Sequence, residues 1–173
     1  TGYSSSADAP GRMNLESLGL TLFREVIDAA TDTHAYVCVK RSPETQVLDG
    51  DGSNVIVVMF RGTVTSQNVK TDMDTTQVDL PATDELKFED ANRDWSGIRV
   101  HKGFLESYLK IQEGVMDAVL QCAASAMNNG SGPAPKVYVT GHSLGGALAQ
   151  LFSLDLACNR SVSVRQGTAV NNN

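Results

Sequence analysis

The stretch Lys136–Ala157, KVYVTGHSLGGALAQLFSLDLA, constrains the fold of this chain more than any other. Val137, Tyr138 and Val139 read as a short buried strand, and the residues after Leu144 follow a helical pattern almost without polar side chains. Between them stands Gly141-His142-Ser143-Leu144-Gly145, a Gly-x-Ser-x-Gly spacing with a strand before it and a helix after it. The spacing has a mechanical reason. A serine on so sharp a turn needs neighbours without side chains, so that strand and helix can close on one another. The pattern therefore predicts that Ser143 Oγ is lifted into the open. It also predicts that the Leu144 N–H points toward a carbonyl under attack and that the helix N-terminus adds positive potential there.

With 173 residues and 41% hydrophobic content the chain has material for one domain with a real core. Residues 1–13 read as a flexible, Ser-rich lead, and residues 14–173 as the folded domain. No run approaches the ~18 apolar residues of a membrane span. A chain that starts at Thr1 and closes on Asn171-Asn172-Asn173 is expected to have lost a leader or to be an excerpt. The net charge of −6 is local: between Thr71 and Ser96 eight acids face two bases, the whole of the excess. The simplest reading of that run is a solvated loop. Without a basic stripe, nucleic acid is not an expected partner. Cys38, Cys122 and Cys158 each sit in an apolar setting, where buried thiols are the default and one disulfide plus a free thiol the alternative.

Taken in order, Asn14 to Ala30 fits a helix, with Leu15, Leu18, Leu22, Val26 and Ala29 at three- and four-residue steps. Ala35–Val39 reads as a strand. NVIVVMF (Asn54–Phe60) is a continuous apolar run, the mark of a strand buried on both faces. Arg61-Gly62-Thr63 follows as a tight polar loop, with Arg61 expected to anchor it through a buried ion pair rather than to clamp substrate. Residues 64–96 read as a long irregular connection, Ile98–His101 as a short strand, and Phe104 to Cys122 as a long amphipathic helix. Buried strands alternating with helices indicate an α/β sheet with covered faces.

Three separated blocks, VVMFRGT (Val57–Thr63), VHKGFLESY (Val100–Tyr108) and VTGHSLGGALAQLFSLDL (Val139–Leu156), together resemble the class 3 lipases, the fungal-type triacylglycerol lipases. The resemblance runs from about Val55 to Leu156. It implies an α/β-hydrolase fold, a mostly parallel sheet flanked by helices and incomplete at its C-terminal side. It implies that Ser143 is the nucleophile and that Thr63 and the Leu144 N–H form the oxyanion hole. It further implies a lipid or ester substrate, peripheral contact with a lipid surface, no cofactor or metal, and export from the cell. Residues Val64–Met73 resemble the family's lid. Their polarity, with Val69 and Lys70 in place of large apolar groups, favours a polar-headed lipid or soluble ester over a strongly apolar substrate.

A serine needs a base, and in this fold the acid and the histidine follow the serine along the chain. After Ser143 there is no histidine, and Asp155 is the one acid; in the helix twelve residues on, it is expected to steady the helix's far end or a nearby loop. His142 reads as part of the turn, His101 as structural and His34 as a surface residue. The chain alone is therefore expected to be inactive and marginally stable, its base and acid lying elsewhere. The competing expectation is a non-catalytic lipase-like protein that binds lipid or a partner. A thioesterase or peptidase on the same fold shares the turn but gives no reason for the FRGT and VHKGF blocks.

Overall fold

A computed structural model describes residues 15–40, 54–62, 76–80, 97–127 and 133–158. After a 3-10 turn at Glu16–Leu18 come strands β1 (Thr21–Asp28), β2 (Thr33–Lys40) and β3 (Val55–Phe60). The short strands β4 (Gln77–Asp79) and β5 (Arg99–His101) pair as an antiparallel ribbon. Helix α1 (Lys102–Ala126), strand β6 (Lys136–Gly141) and helix α2 (Leu144–Cys158) follow. The main sheet has the order β1-β2-β3-β6.

The helix expected over Asn14–Ala30 is a strand over most of its length. TLFREVID is rich in residues that suit a pleated surface, and it pairs antiparallel with β2 from Thr21↔Val39 to Asp28↔Thr33. A bulge between Leu22 and Arg24 misled the reading. One extra residue at Phe23 moves the following side chains to the opposite face. Leu22, opposite Cys38, lies on one face, whereas Val26, opposite Ala35, lies on the other. The period of two is thus broken in the sequence, and a helical spacing fits by default. Asp28 closes the turn, its carboxylate accepting hydrogen bonds from the Thr31 N–H at 2.8 Å and the Thr31 hydroxyl at 2.6 Å.

The expectation of a mostly parallel sheet is also corrected among the described residues. β1–β2 and β2–β3 are antiparallel, and β3–β6 is parallel, which makes a mixed sheet. A connection as short as residues 29–32 can join only antiparallel neighbours. β3 reaches β6 through a crossover that contains α1, as a parallel pair requires. Within the acidic stretch read as irregular, residues 77–79 form β4; residues 71–75 and 81–96 with Trp95, the lid-like Val64–Met73, the lead 1–13 and residues 159–173 lie outside the described residues.

The two helices pack on each other and on one face of the sheet. Ala35, Val37 and Val39 of β2 and Ile56, Val58 and Phe60 of β3 meet Tyr108, Ile111, Val115 and Val119 of α1 and Leu148 and Phe152 of α2 in one buried core. The Phe60 and Phe152 rings are 5.7 Å apart and tilted, which seats α2 over the end of β3. All three cysteines are buried thiols outside any disulfide, the default expected of them. No helix among the described residues is long and apolar enough to cross a membrane.

Candidate active site

β3 and β6 run side by side and end together, Phe60 opposite Gly141. The loops that leave them therefore emerge at the same sheet edge, the carboxyl end of a parallel pair, where ligand sites of α/β sheets form. One loop starts Arg61-Gly62. The other is His142-Ser143, which leads directly into α2.

Ser143 has a φ of 56°, in the left-handed region where a residue with a Cβ is strained by about 1–3 kcal/mol. The turn is held by its own backbone. The Gly145 N–H donates to the His142 carbonyl at 3.0 Å, and the Gly146 N–H to the Ser143 carbonyl at 2.8 Å. The two glycines of the motif are required sterically. A Cβ on Gly141 would lie 2.1 Å from the Gly145 carbonyl oxygen, and one on Gly145 would lie 2.2 Å from the carbonyl oxygen of Phe60. Strand and helix are in backbone contact beneath the serine, and Ser143 itself is exposed. The serine stands where a helix N-cap stands, with the Leu144 N–H in a first turn that offers no intrahelical acceptor. That N–H and the helix dipole give the space beside Ser143 a positive potential suited to a developing negative charge.

The second loop is pressed against this turn. A Cβ on Gly62 would sit 2.6 Å from the His142 carbonyl oxygen and 3.7 Å from Ser143 Cβ. Thr63, the residue expected to give the other oxyanion donor, follows Gly62 but lies outside the described residues.

The remaining titratable groups fall into place around the site rather than in it. Among the described residues no histidine or carboxylate is hydrogen-bonded to Ser143. His142 is exposed, its carbonyl spent on the turn. The His101 ring packs 5.1 Å from that of Phe104 at the start of α1. His34 is not the surface residue expected: its side chain is 16% exposed and faces two carboxylates, Nε2 3.1 Å from Asp32 and Nδ1 3.6 Å from Glu25. Arg61 is the ion-pair anchor expected, its partner being Asp32 in the β1–β2 turn, but the pair is partly exposed rather than buried.

Asp155 is corrected in part. Expected to steady the far end of its helix or a nearby loop, it does lie near that end, but fully buried, and it ties the end to the neighbouring helix. It accepts hydrogen bonds from the Tyr108 hydroxyl at 2.5 Å and Gln112 Nε2 at 2.7 Å. Twelve residues of helix place it roughly 18 Å along α2 from Ser143, beyond reach of any base there. The sequence held a signal for this burial: Leu148, Leu151 and Phe152 precede Asp155 by seven, four and three positions, so it shares their buried stripe.

Comparison with known proteins bears on the family and the fold. The family described as Lipase (class 3) matches residues 57–170. The chain is 37% identical over 110 residues to a lipase of Rhizomucor miehei, covering 64% of this chain and 25% of that protein. It resembles the solved Rhizomucor miehei lipase–propeptide complex with a TM-score of 0.60 at 29% identity, over 87% of this chain and 40% of the other. A solved triacylglycerol lipase whose catalytic centre is described as a serine protease triad matches with a TM-score of 0.59 at 30% identity, over 84% of this chain and 44% of that one. The chain thus spans about a quarter of the length of the curated relative it matches.

Proposed function

The chain belongs to the class 3 lipase family, and from that premise we propose that it carries the nucleophile half of a serine ester hydrolase acting on carboxylic esters of lipids. The observation that carries the reading is Ser143 at a φ of 56°, on a strand–helix turn with the backbone of Gly62 against it. Ser143 Oγ attacks the ester carbonyl and its proton passes to a general base. The negative charge that forms on the carbonyl oxygen is held by the Leu144 N–H and by Thr63. The tetrahedral species then expels the alcohol, which takes the proton from the base. Water, deprotonated by the same base, releases the fatty acid and restores Ser143.

None of the three histidines of the sequence serves as that base: His34 is bound to Asp32, His101 packs on Phe104, and His142 lies in the turn itself. The base and its orienting acid are supplied by sequence outside these 173 residues. The short coverage of the relatives supports this, as does the triad in the name of one of them. The polar Val64–Met73 segment favours a polar-headed lipid or soluble ester as substrate.

One observation favours a second reading, a lipid-binding protein without catalysis: no histidine of this chain is hydrogen-bonded to Ser143 among the described residues. Hydrolysis of soluble p-nitrophenyl butyrate and emulsified tributyrin separates the two. Turnover by the natural protein that carries this chain, lost in Ser143→Ala, is expected of the hydrolase. Binding to lipid vesicles with no turnover of either ester is the result that would overturn it.

A further inference from the structure

Arg61 and Gly62, adjacent in sequence, are gripped from opposite sides. The Arg61 N–H donates to the His34 carbonyl at 3.0 Å, so its backbone still belongs to the sheet. Its guanidinium reaches back to the tip of the β1–β2 hairpin, where Nη2 donates to the Asp32 carbonyl at 3.0 Å and to the Asp32 carboxylate at 2.5 Å. Asp32 offers both acceptors from a left-handed φ of 49°. His34 lies 3.1 Å from the same carboxylate oxygen, and Glu25 stands behind His34. Arg61 is 29% and Asp32 48% exposed, so what the pair supplies is the fixed geometry of two hydrogen bonds from one nitrogen rather than a buried charge. The Asp32 carboxyl is held below its usual range, first by the hydrogen bond from Arg61. On the far side Gly62 meets the His142 carbonyl and Ser143, with no room even for a methyl group.

We propose that Asp32 is a positioning residue: through Arg61 it fixes the backbone at Gly62 against the Ser143 turn, so that the tip of the β1–β2 hairpin sets the geometry in which Ser143 reacts. The proposal rests on the reading of Ser143 as nucleophile. The hairpin has no need of the clamp for its own sake, because the register with β2 and the Asp28–Thr31 bonds already define it. What the clamp adds is a connection from the far side of β2, across the end of β3, to the turn that carries the serine. Reaction at a positioned nucleophile is steep in distance, a displacement of about 1 Å lowering rates by ~100-fold. The backbone next to the serine is therefore where such a clamp has leverage.

The test uses the natural protein that carries this chain and three readouts: the rate of fluorophosphonate labelling of Ser143, amide hydrogen exchange at Arg61 and Gly62, and the urea midpoint. Asp32→Gly removes the carboxylate while tolerating the left-handed φ. It is expected to slow labelling by about 10- to 100-fold and to speed the exchange by at least about tenfold. Asp32→Asn, which keeps an acceptor without the charge, and Arg61→Lys, which keeps the charge without the fork, are expected to fall between. Asp28→Asn, which can still accept both Thr31 bonds, is expected to leave all three readouts unchanged. Wild-type labelling rates in Asp32→Asn, Arg61→Lys and a folded Asp32→Gly would overturn the proposal. If the unmutated natural protein does not label, the nucleophile reading fails and exchange alone decides the clamp. Acceleration confined to Arg61–Gly62 then upholds it, and unchanged exchange refutes it. If Asp32→Gly does not fold, the Asn and Lys variants decide in the same way.

Discussion

The Tyr108 hydroxyl donates a 2.5 Å hydrogen bond to the buried carboxylate of Asp155, joining the second turn of α1 to the far end of α2. Gln112, one turn along α1 from Tyr108, donates to the same oxygen at 2.7 Å. A polar group between two apolar helix faces fixes their register, since any slip along the interface leaves a carboxylate without donors. Tyr108→Phe removes one donor and is expected to lower stability by ~1–3 kcal/mol. Urea unfolding checks this, and a loss within error of zero would show that the carboxylate is satisfied without the hydroxyl.

Alkaline pH probes the same pair. Burial first, and the Asp155 charge second, push the Tyr108 hydroxyl far above its ordinary range. In the unfolded chain the phenol ionises near ~10. Below that pH both states hold the proton and stability is complete; above it only the unfolded state gives the proton up, and stability falls. The Cys38 thiol behaves alike, raised from 9.0 to about 11 by burial and by Cys122. Its contribution is expected to disappear between pH 9 and about 11, with a slope of at most ~1.4 kcal/mol per pH unit. Unfolding free energies measured from pH 8 to 11.5 should show this decline. Cys38→Ala should flatten the first part and Tyr108→Phe the part above ~10.

The serine turn makes a prediction about strain. Ser143→Ala keeps a Cβ at a φ of 56°, whereas Ser143→Gly releases it. The glycine variant is expected to be more stable than the alanine variant by about 1 kcal/mol, although neither has a hydroxyl. Equal urea midpoints would mean that the turn is relaxed around its side chain.

Gly145→Ala carries the opposite sign. Its Cβ would approach the Phe60 carbonyl oxygen to 2.2 Å, a backbone atom in the middle of the packed β3–α2 contact. Overpacking there is expected to lower stability by about 3 kcal/mol or more. A cooperative transition at the wild-type urea midpoint would contradict the close approach described above.

How far the sequence foretold this architecture depended on how local each feature is. The serine turn was legible because its cause is local: two glycines at fixed distances from Ser143, between a run of strand residues and an apolar helix. Strand β3 and helix α1 were legible for the same reason, β3 as an unbroken apolar run and α1 as an uninterrupted helical periodicity. Strand β1 was not, because the bulge at Phe23 splits its apolar residues between two faces. The Asp32–Arg61 pair was half legible. Arg61 announced an ion pair, but its partner lies 29 residues earlier on a left-handed turn that no propensity marks. Asp155 could have been read as buried from its stripe on α2. Tyr108 and Gln112, four apart on α1, are the complementary donors, and only the packing of α1 on α2 brings them to it. The antiparallel β1–β2 pair followed from β1 being a strand, so that one error carried part of the other with it; the antiparallel β2–β3 pair was missed separately.

The central claim is that the Ser143 turn is built as a nucleophile's turn, and intact-mass analysis after fluorophosphonate treatment tests it most directly. The natural protein that carries this chain, with its base in place, is predicted to gain one phosphonyl group per molecule. Peptide mapping should place that group on Ser143, and Ser143→Ala should gain none. A folded natural protein that takes up no label, or takes it up elsewhere, would contradict the account.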